Sequence, residues 1–341
     1  MAKVIFEYAR LLRLAGLGAL SFGPVFGAIS LINIGVKVDL LDLSLLLLIG
    51  VLANIFGFVS NDYADIEIDK LSKEPVKRPL VTGVISKKTA IGICALCVIF
   101  IFGTIFIFFY KNQLSFVLGL LCIIVAFILV YIYNMYSKKI IGSDFLIAIS
   151  GALFSLFGAY IITKDGTLSI FTYAVLICEF SQFLFGNAVA GGLKDSDHDY
   201  LGNVKNLASF FGVKVIKDKD LIITLRFKMF GIGLRFIFVI GIFIPFIYGI
   251  YYKIWEILLL IVFGGALLLI STFLLSIKKI EDRKKIVKLG GIMGILRYSM
   301  IPLMFLPVIG LFYVFILIIS PVVWYIIFTP ISGKKLFQQV M

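Results

Sequence analysis

Long apolar runs alternate with short polar breaks along this chain, and the runs have the length of membrane spans. A hydrocarbon core about 30 Å thick needs roughly 20 apolar residues in a helix. Such runs fall at 12–34, 41–61, 89–110, 114–136 and 144–163, then at 168–193, 229–251, 255–277, 289–308 and 311–328. Each is predicted to be a helix, because backbone groups in hydrocarbon must satisfy their hydrogen bonds internally. The last two runs form one stretch of about 40 apolar residues, twice the length of a span. Pro302, Pro307 and Gly310 offer places to break it. Ten spans are therefore expected, with nine as the alternative. The predicted fold class is all-α, a polytopic integral membrane protein.

Composition agrees. Of 341 residues, 61% are hydrophobic, and the mean hydropathy is +1.11. The polar loops are too short to hold a water-soluble domain. Run 12–34 is read as a retained helix, since no small-residue cleavage site follows a short apolar run. Cys94, Cys97, Cys122 and Cys178 all lie inside apolar runs. Without a second pair or a nearby His, Cys94 and Cys97 read as helix filler.

The net charge of +13 has a direction. Of 32 Lys and Arg, about 26 fall on one side of the predicted membrane. Lys37, Lys111, Lys164 and Lys253 fall on the other, and Arg235 and Arg297 lie within spans. By the positive-inside rule the crowded side is cytoplasmic, with both termini. Most of the surplus reads as orientation signal and attraction to anionic lipid headgroups. No nucleic-acid partner and no required protein partner is expected.

Two acidic patches stand out in a chain with so few carboxylates. The first is Asn61-Asp62-Tyr63-Ala64-Asp65-Ile66-Glu67-Ile68-Asp69, at the end of the second run. On a continuing helix, Asn61, Asp65 and Asp69 share one face, and Asp62 lies about 100° around. Like charges four apart repel, and a bound cation removes that penalty. Oxygen-only ligands favour Mg²⁺ or Ca²⁺, and Mg²⁺ commonly bridges carboxylates to substrate phosphates. Lys77 and Arg78 follow closely, and Arg78 has a fork suited to phosphate oxygens. The bland alternative is a charged loop whose acids and bases solvate each other.

The second patch closes the sixth run. Asn187, Gly191, Asp195 and Asp199 recur every four residues, with Lys194 and Lys205 nearby. It repeats the first pattern four spans later, which points to an old duplication facing a shared cavity. Two such patches can hold metal ions on one diphosphate and neutralise charge as it leaves. His198, the only histidine, points away from the Asp195/Asp199 face of an ideal helix and reads as a bystander.

These motifs resemble the UbiA superfamily of intramembrane prenyltransferases. The resemblance rests on Asn61-Asp62-x-x-Asp65-x-x-x-Asp69, Arg78-Pro79-Leu80, Tyr133-Asn134-x-x-x-Lys138-Lys139 and Asp195-x-x-x-Asp199, in order over roughly residues 10–305. It implies about nine helices around a central cavity in residues 1–308, with 309–341 as an extra C-terminal helix and tail. It implies an isoprenyl diphosphate substrate, geranylgeranyl among its chain lengths, bound through Mg²⁺ by Asn61, Asp62, Asp65, Asp69, Asp195 and Asp199. Arg78, Lys138 and Lys194 would contact the diphosphate, with Lys77 and Lys205 as further cations, and Tyr133 would sit near the reacting end. The prenyl group would pass to a lipophilic acceptor at the cytoplasmic side of the cell membrane. The first motif is most similar to archaeal digeranylgeranylglyceryl phosphate synthases, which implies an acceptor for ether-lipid synthesis. The alternating Asp195, Asp197 and Asp199 depart from that pattern, so prenylation of an aromatic quinone precursor is the competing reading.

Rivals of other classes fit less well. A secondary transporter suits ten spans with internal symmetry, but transporters carry ionisable groups near the midplane, and here they gather at one face. A CDP-alcohol phosphotransferase needs an Asp-Gly, Ala-Arg run that the chain lacks.

Overall fold

A computed structural model describes residues 2–70, 78–111, 113–196, 204–216, 220–279 and 282–331. Ten of its segments are long and apolar enough to cross a membrane. The first, Val4–Ile34, is not one rod. It comprises α1 (Ala2–Leu11), α2 (Leu14–Leu20), α3 (Gly23–Ile29) and a 3₁₀ turn at Ile32–Ile34. The break before α2 falls at Arg13, whose φ of 48° is left-handed, a conformation costly for a residue with a Cβ.

Then come α4 (Leu40–Ala64), α5 (Ile66–Asp69), α6 (Pro79–Thr82), α7 (Lys87–Phe108), α8 (Leu114–Tyr136) and α9 (Asp144–Ile162). The chain continues through α10 (Ile170–Leu184), a π-helical segment at Phe185–Gly191, α11 (Gly192–Lys194) and α12 (Leu207–Phe210). The last long helices are α13 (Leu225–Ile247), α14 (Ile254–Leu274), α15 (Arg283–Met304) and α16 (Leu306–Ile331). Local chemistry sets several starts. Ser86 Oγ accepts from Thr89 N at 3.1 Å to open α7, and Thr224 Oγ1 accepts from Phe227 N at 3.3 Å to open α13. The long apolar stretch at the end divides at Phe305, and Gly310 (φ 77°, ψ 167°) kinks α16 one turn later.

One element was not expected. Strands β1 (Lys214–Ile216) and β2 (Asp220–Ile222) pair antiparallel, with Val215 opposite Leu221. Both of those side chains are buried and their neighbours are exposed. The hairpin's period-two pattern is too short to rise above the surrounding polar loop.

Lipid tails are as apolar as leucine, so burying side chains does not by itself bring helices together in a membrane. Close backbone approach does. A Cβ added at Gly27 would strike the carbonyl of Ser155, and one at Gly158 would strike that of Pro24, so α3 and α9 meet where neither carries a side chain. Gly50 does the same for α4 against Ser21. Hydroxyls add directional bonds, as between Ser30 Oγ and Thr172 Oγ1 at 2.6 Å. Outward faces carry large exposed apolar side chains such as Ile107, Leu114 and Phe312. On a soluble protein these would mark interfaces; here they suit acyl chains. The final helix turns back on the first, and Trp324 Nε1 donates to the Leu14 carbonyl at 2.7 Å while its ring covers Gly18.

Candidate active site

The first acidic patch sits where α4 leaves the apolar layer. The helix proper ends at Ala64, yet Asp65 N donates to Asn61 O at 3.0 Å and Asp69 N donates to Asp65 O at 2.8 Å. Helical spacing thus runs through the bend, and Asn61, Asp65 and Asp69 stay in line. Asp65 is buried, and desolvation pushes its carboxyl above the usual aspartate range against the pull of Lys138 and Arg78. Burial likewise pushes Asp69 up to about 6, opposed by Arg78 and reinforced by Asp65 and Asp62. Asp69 Oδ2 is buried and makes no hydrogen bond; it lies 3.1 Å from Arg78 Nη1 without hydrogen-bond alignment.

Asp62, expected among metal ligands, is tied to two arginines. Its Oδ1 accepts from Arg13 Nη2 at 2.8 Å and from Arg78 Nη1 at 2.6 Å. Arg13 also lies over the Phe58 ring, 4.8 Å from its centroid. The sequence reading counted Arg13 only among the cations of the crowded side. Its signal was an arginine at the second position of the first apolar run, and its backbone is left-handed.

The second patch also differs. The predicted four-residue stripe assumed a plain α-helix, but Phe185–Gly191 is π-helical, and the Gly192 N–H reaches back five residues to the Asn187 carbonyl. The wide turn takes in one extra residue, so Asn187 does not stack on Asp195 as an α-helix would place it. Lys194 Nζ lies 3.6 Å from Asp195 Oδ1. Lys205 is exposed, and its backbone N–H bonds the Lys138 carbonyl at 3.5 Å. Lys77, Asp197, His198 and Asp199 lie outside the described residues.

Helix α8 joins the two motif ends. Asn134 Nδ2 donates to Ser60 Oγ at 2.7 Å and to the Gly57 carbonyl at 3.1 Å, just before the first patch. Its neighbour Tyr133 donates from its hydroxyl to Asn187 Oδ1 at 3.4 Å. Adjacent residues of one helix thus touch both motif helices. Asn134 was quoted in the motif but not picked as a site residue, although one polar group in a helix this apolar was a signal.

The donors match a hard cation. Among the described residues, no three His, Cys, Asp or Glu groups cluster closely enough to hold a metal by themselves. Mg²⁺ rarely needs that, since one or two carboxylates plus substrate phosphates suffice. The buried, unbonded Asp69 Oδ2 fits such a role. A cleft of about 310 Å³ between α1, α4 and α7 has a wholly apolar lining and offers nothing to a phosphate.

Residues 21–292 match the UbiA prenyltransferase family. A protoheme IX farnesyltransferase from Protochlamydia amoebophila is 27% identical over 174 residues, 51% of this chain and 58% of that protein. A digeranylgeranylglyceryl phosphate synthase from Methanococcus aeolicus is 32% identical over 170 residues, 49% of this chain and 57% of that protein. The chain thus spans a little over half the length of these curated relatives. Among solved structures, one from work on digeranylgeranylglyceryl phosphate synthase in membranes superposes with a TM-score of 0.62 at 21% identity, covering 88% of this chain and 97% of that one. A UbiA homologue from Archaeoglobus fulgidus, bound to GPP and Mg²⁺, gives 0.55 at 19% identity over 86% of this chain and 99% of that one. These likenesses establish the fold, and with the match over residues 21–292 they place the chain: it belongs to the UbiA prenyltransferase family.

Proposed function

We propose that this protein transfers an isoprenyl group from a prenyl diphosphate to a lipophilic acceptor, in a reaction that needs Mg²⁺. The observation that carries the reading is the pairing of two desolvated carboxylates, Asp65 and Asp69, with the arginine pair held by Asp62. Two desolvated acids beside fixed cations suit a divalent ion that bridges carboxylates to a polyanion. Family membership sets aside the transporter reading.

Asn61, Asp65 and Asp69 from one side and Asp195 and Asp199 from the other would hold the metal. When bound, Mg²⁺ neutralises the charge gathering on the departing diphosphate. Asp62 fixes Arg13 and Arg78 at the edge of the patch, where Arg78, with Lys138, Lys194, Lys77 and Lys205, would meet phosphate oxygens. Tyr133, positioned by Asn187, would flank the reacting carbon. The C1–O bond breaks with its electrons going to diphosphate; the acceptor's nucleophilic atom bonds to C1 and gives up its proton. Helices shield the allylic centre from water during this step.

The acceptor we favour is a geranylgeranylglyceryl phosphate type of lipid, as the Methanococcus aeolicus relative's name indicates. The charge asymmetry supports a cytoplasmic active site in the cell membrane. The test is purified protein with labelled geranylgeranyl diphosphate and a panel holding a phosphoglycerol ether lipid and 4-hydroxybenzoate. Transfer to the phosphoglycerol lipid, abolished by EDTA and restored by Mg²⁺, is expected. Turnover indifferent to chelation sinks the metal, and transfer to 4-hydroxybenzoate alone sinks the lipid acceptor.

A further inference from the structure

A second cavity, lined by three cations, extends into the bundle from the second motif. It holds about 150 Å³ between the π segment, α13 and α15. Its lining includes Lys194, Arg235 and Arg297, with Gly186 and Gly191 on the π turn and Gly290 and Gly294 on α15. On α15 the lining runs from Ile286 to Arg297, a climb of about 16 Å along a helix. Lys194 stands at the motif end and the two arginines stand at depth.

Arg235 is the anomaly. It is 2% exposed, and its Nε and Nη1 have no hydrogen-bond partner. Its Nη2 reaches only the Met293 sulfur, at 3.9 Å, and that sulfur already accepts from Ser271 Oγ at 3.2 Å. Its guanidinium carbon lies 3.4 Å from the Phe185 ring centroid, which stabilises the cation but leaves its donors unused. The charged groups around it do not cancel. Glu179 on α10 acts on Arg297, but among the described residues neither arginine is within 4.0 Å of a carboxylate, and Lys194 pairs with Asp195. An arginine held in a membrane interior without an anion is expensive, and such residues as a rule face a ligand or pathway.

We propose that this cavity binds the phosphate group of a lipid phosphate monoester. A monoester carries between one and two negative charges near neutral pH and three acceptor oxygens, and guanidinium forks match phosphate geometry. The glycines leave room for the group that bears it. Gly186 and Gly191 line the cavity while Asn187, between them in sequence, contacts Tyr133. The π turn that borders this cavity thus also carries the partner of Tyr133. That position assigns the phosphate to the acceptor, a role that rests on the prenyl-transfer reading; a resident lipid of the phosphatidic acid type has the same monoester chemistry.

The experiment measures binding separately from turnover. Detergent-purified full-length protein is titrated with decyl glycerol phosphate, decyl glycerol and decanoic acid, as wild type, Arg235→Gln, Arg235→Lys and Arg297→Gln. The phosphate lipid should bind wild type, and each Gln variant should weaken it on the order of ten- to a hundredfold. Arg235→Lys should recover part of the affinity lost in Arg235→Gln, with thermal midpoints confirming that each variant is folded. Equal binding of all three probes, or unchanged affinity in folded Gln variants, overturns the proposal. A raised KM for a phosphoglycerol acceptor in Arg235→Gln identifies the acceptor as the source. A co-purified phospholipid lost from Arg235→Gln in native mass spectra, with KM unchanged, identifies a resident lipid and overturns the acceptor role. Arginine-dependent binding without any prenyl transfer removes the activity reading and leaves the cavity standing.

Discussion

Asp62 and Asp69 share a neighbourhood and play opposite electrostatic parts. Asp62 anchors two arginines, so Asp62→Asn should release both and lower stability by about 1–3 kcal/mol, read as a reduced thermal midpoint. It should also raise the KM for prenyl diphosphate. Asp65→Ala and Asp195→Ala should abolish transfer while the protein still inserts and folds; full activity in either would refute the two-motif site. Asp69 has the clearest pH consequence. Its carboxyl is pushed up to about 6 by burial, so the metal-free fold holds a proton that the unfolded chain has released above its ordinary range near 4. Protonation therefore favours the metal-free fold below about pH 4, and that contribution is lost as pH rises through about 6. Mg²⁺ requires the ionised form, so stabilisation by added MgCl₂ should be weak at pH 5 and strong above about pH 7. Melting curves with and without Mg²⁺ across that range check the sign.

At the scale of elements, the π segment and the glycine crossings carry the design. Deleting Ala190 should collapse the wide turn into an ordinary helix and rotate Lys194 and Asp195 by about 100°. Transfer should disappear although insertion and oligomeric state are unchanged. Gly158→Leu should drive α3 and α9 apart, costing at least about 1–3 kcal/mol, whereas Gly103→Ala, which meets nothing within 4 Å, should be near neutral. Size-exclusion profiles and melting points separate the two. The helices themselves were legible because length and apolarity suffice in a bilayer, and the first acidic face was legible because hydrogen bonds continue past Ala64. The π segment was not, since an i+5 turn leaves no mark in a four-residue polar spacing. The Arg13 contact escaped for a related reason: a left-handed residue breaks the periodicity that locates side chains.

For the whole molecule, the charge map makes a topological prediction. Reporter fusions after Lys164 and after Tyr252 should report one side of the membrane, and fusions after Lys139 and Lys279 the other, with the latter pair cytoplasmic. The same side for all four would undo the span assignment. That prediction rests on the lysines and arginines alone. What could not be read was which distant helices touch, because apolar side chains facing lipid and apolar side chains facing another helix are chemically alike.

The bond from Trp324 to Leu14 closes a loop of 310 positions in sequence. Ribosomes add roughly 5–20 residues per second. The flank of α2 around Gly18 thus waits on the order of tens of seconds, already inserted, before α16 is made and can cover it. During that interval the nascent bundle presents an open small-residue seam to the membrane. A Trp324→Ala chain carries the same seam indefinitely, so its defect should show first as faster turnover of newly made protein in cells.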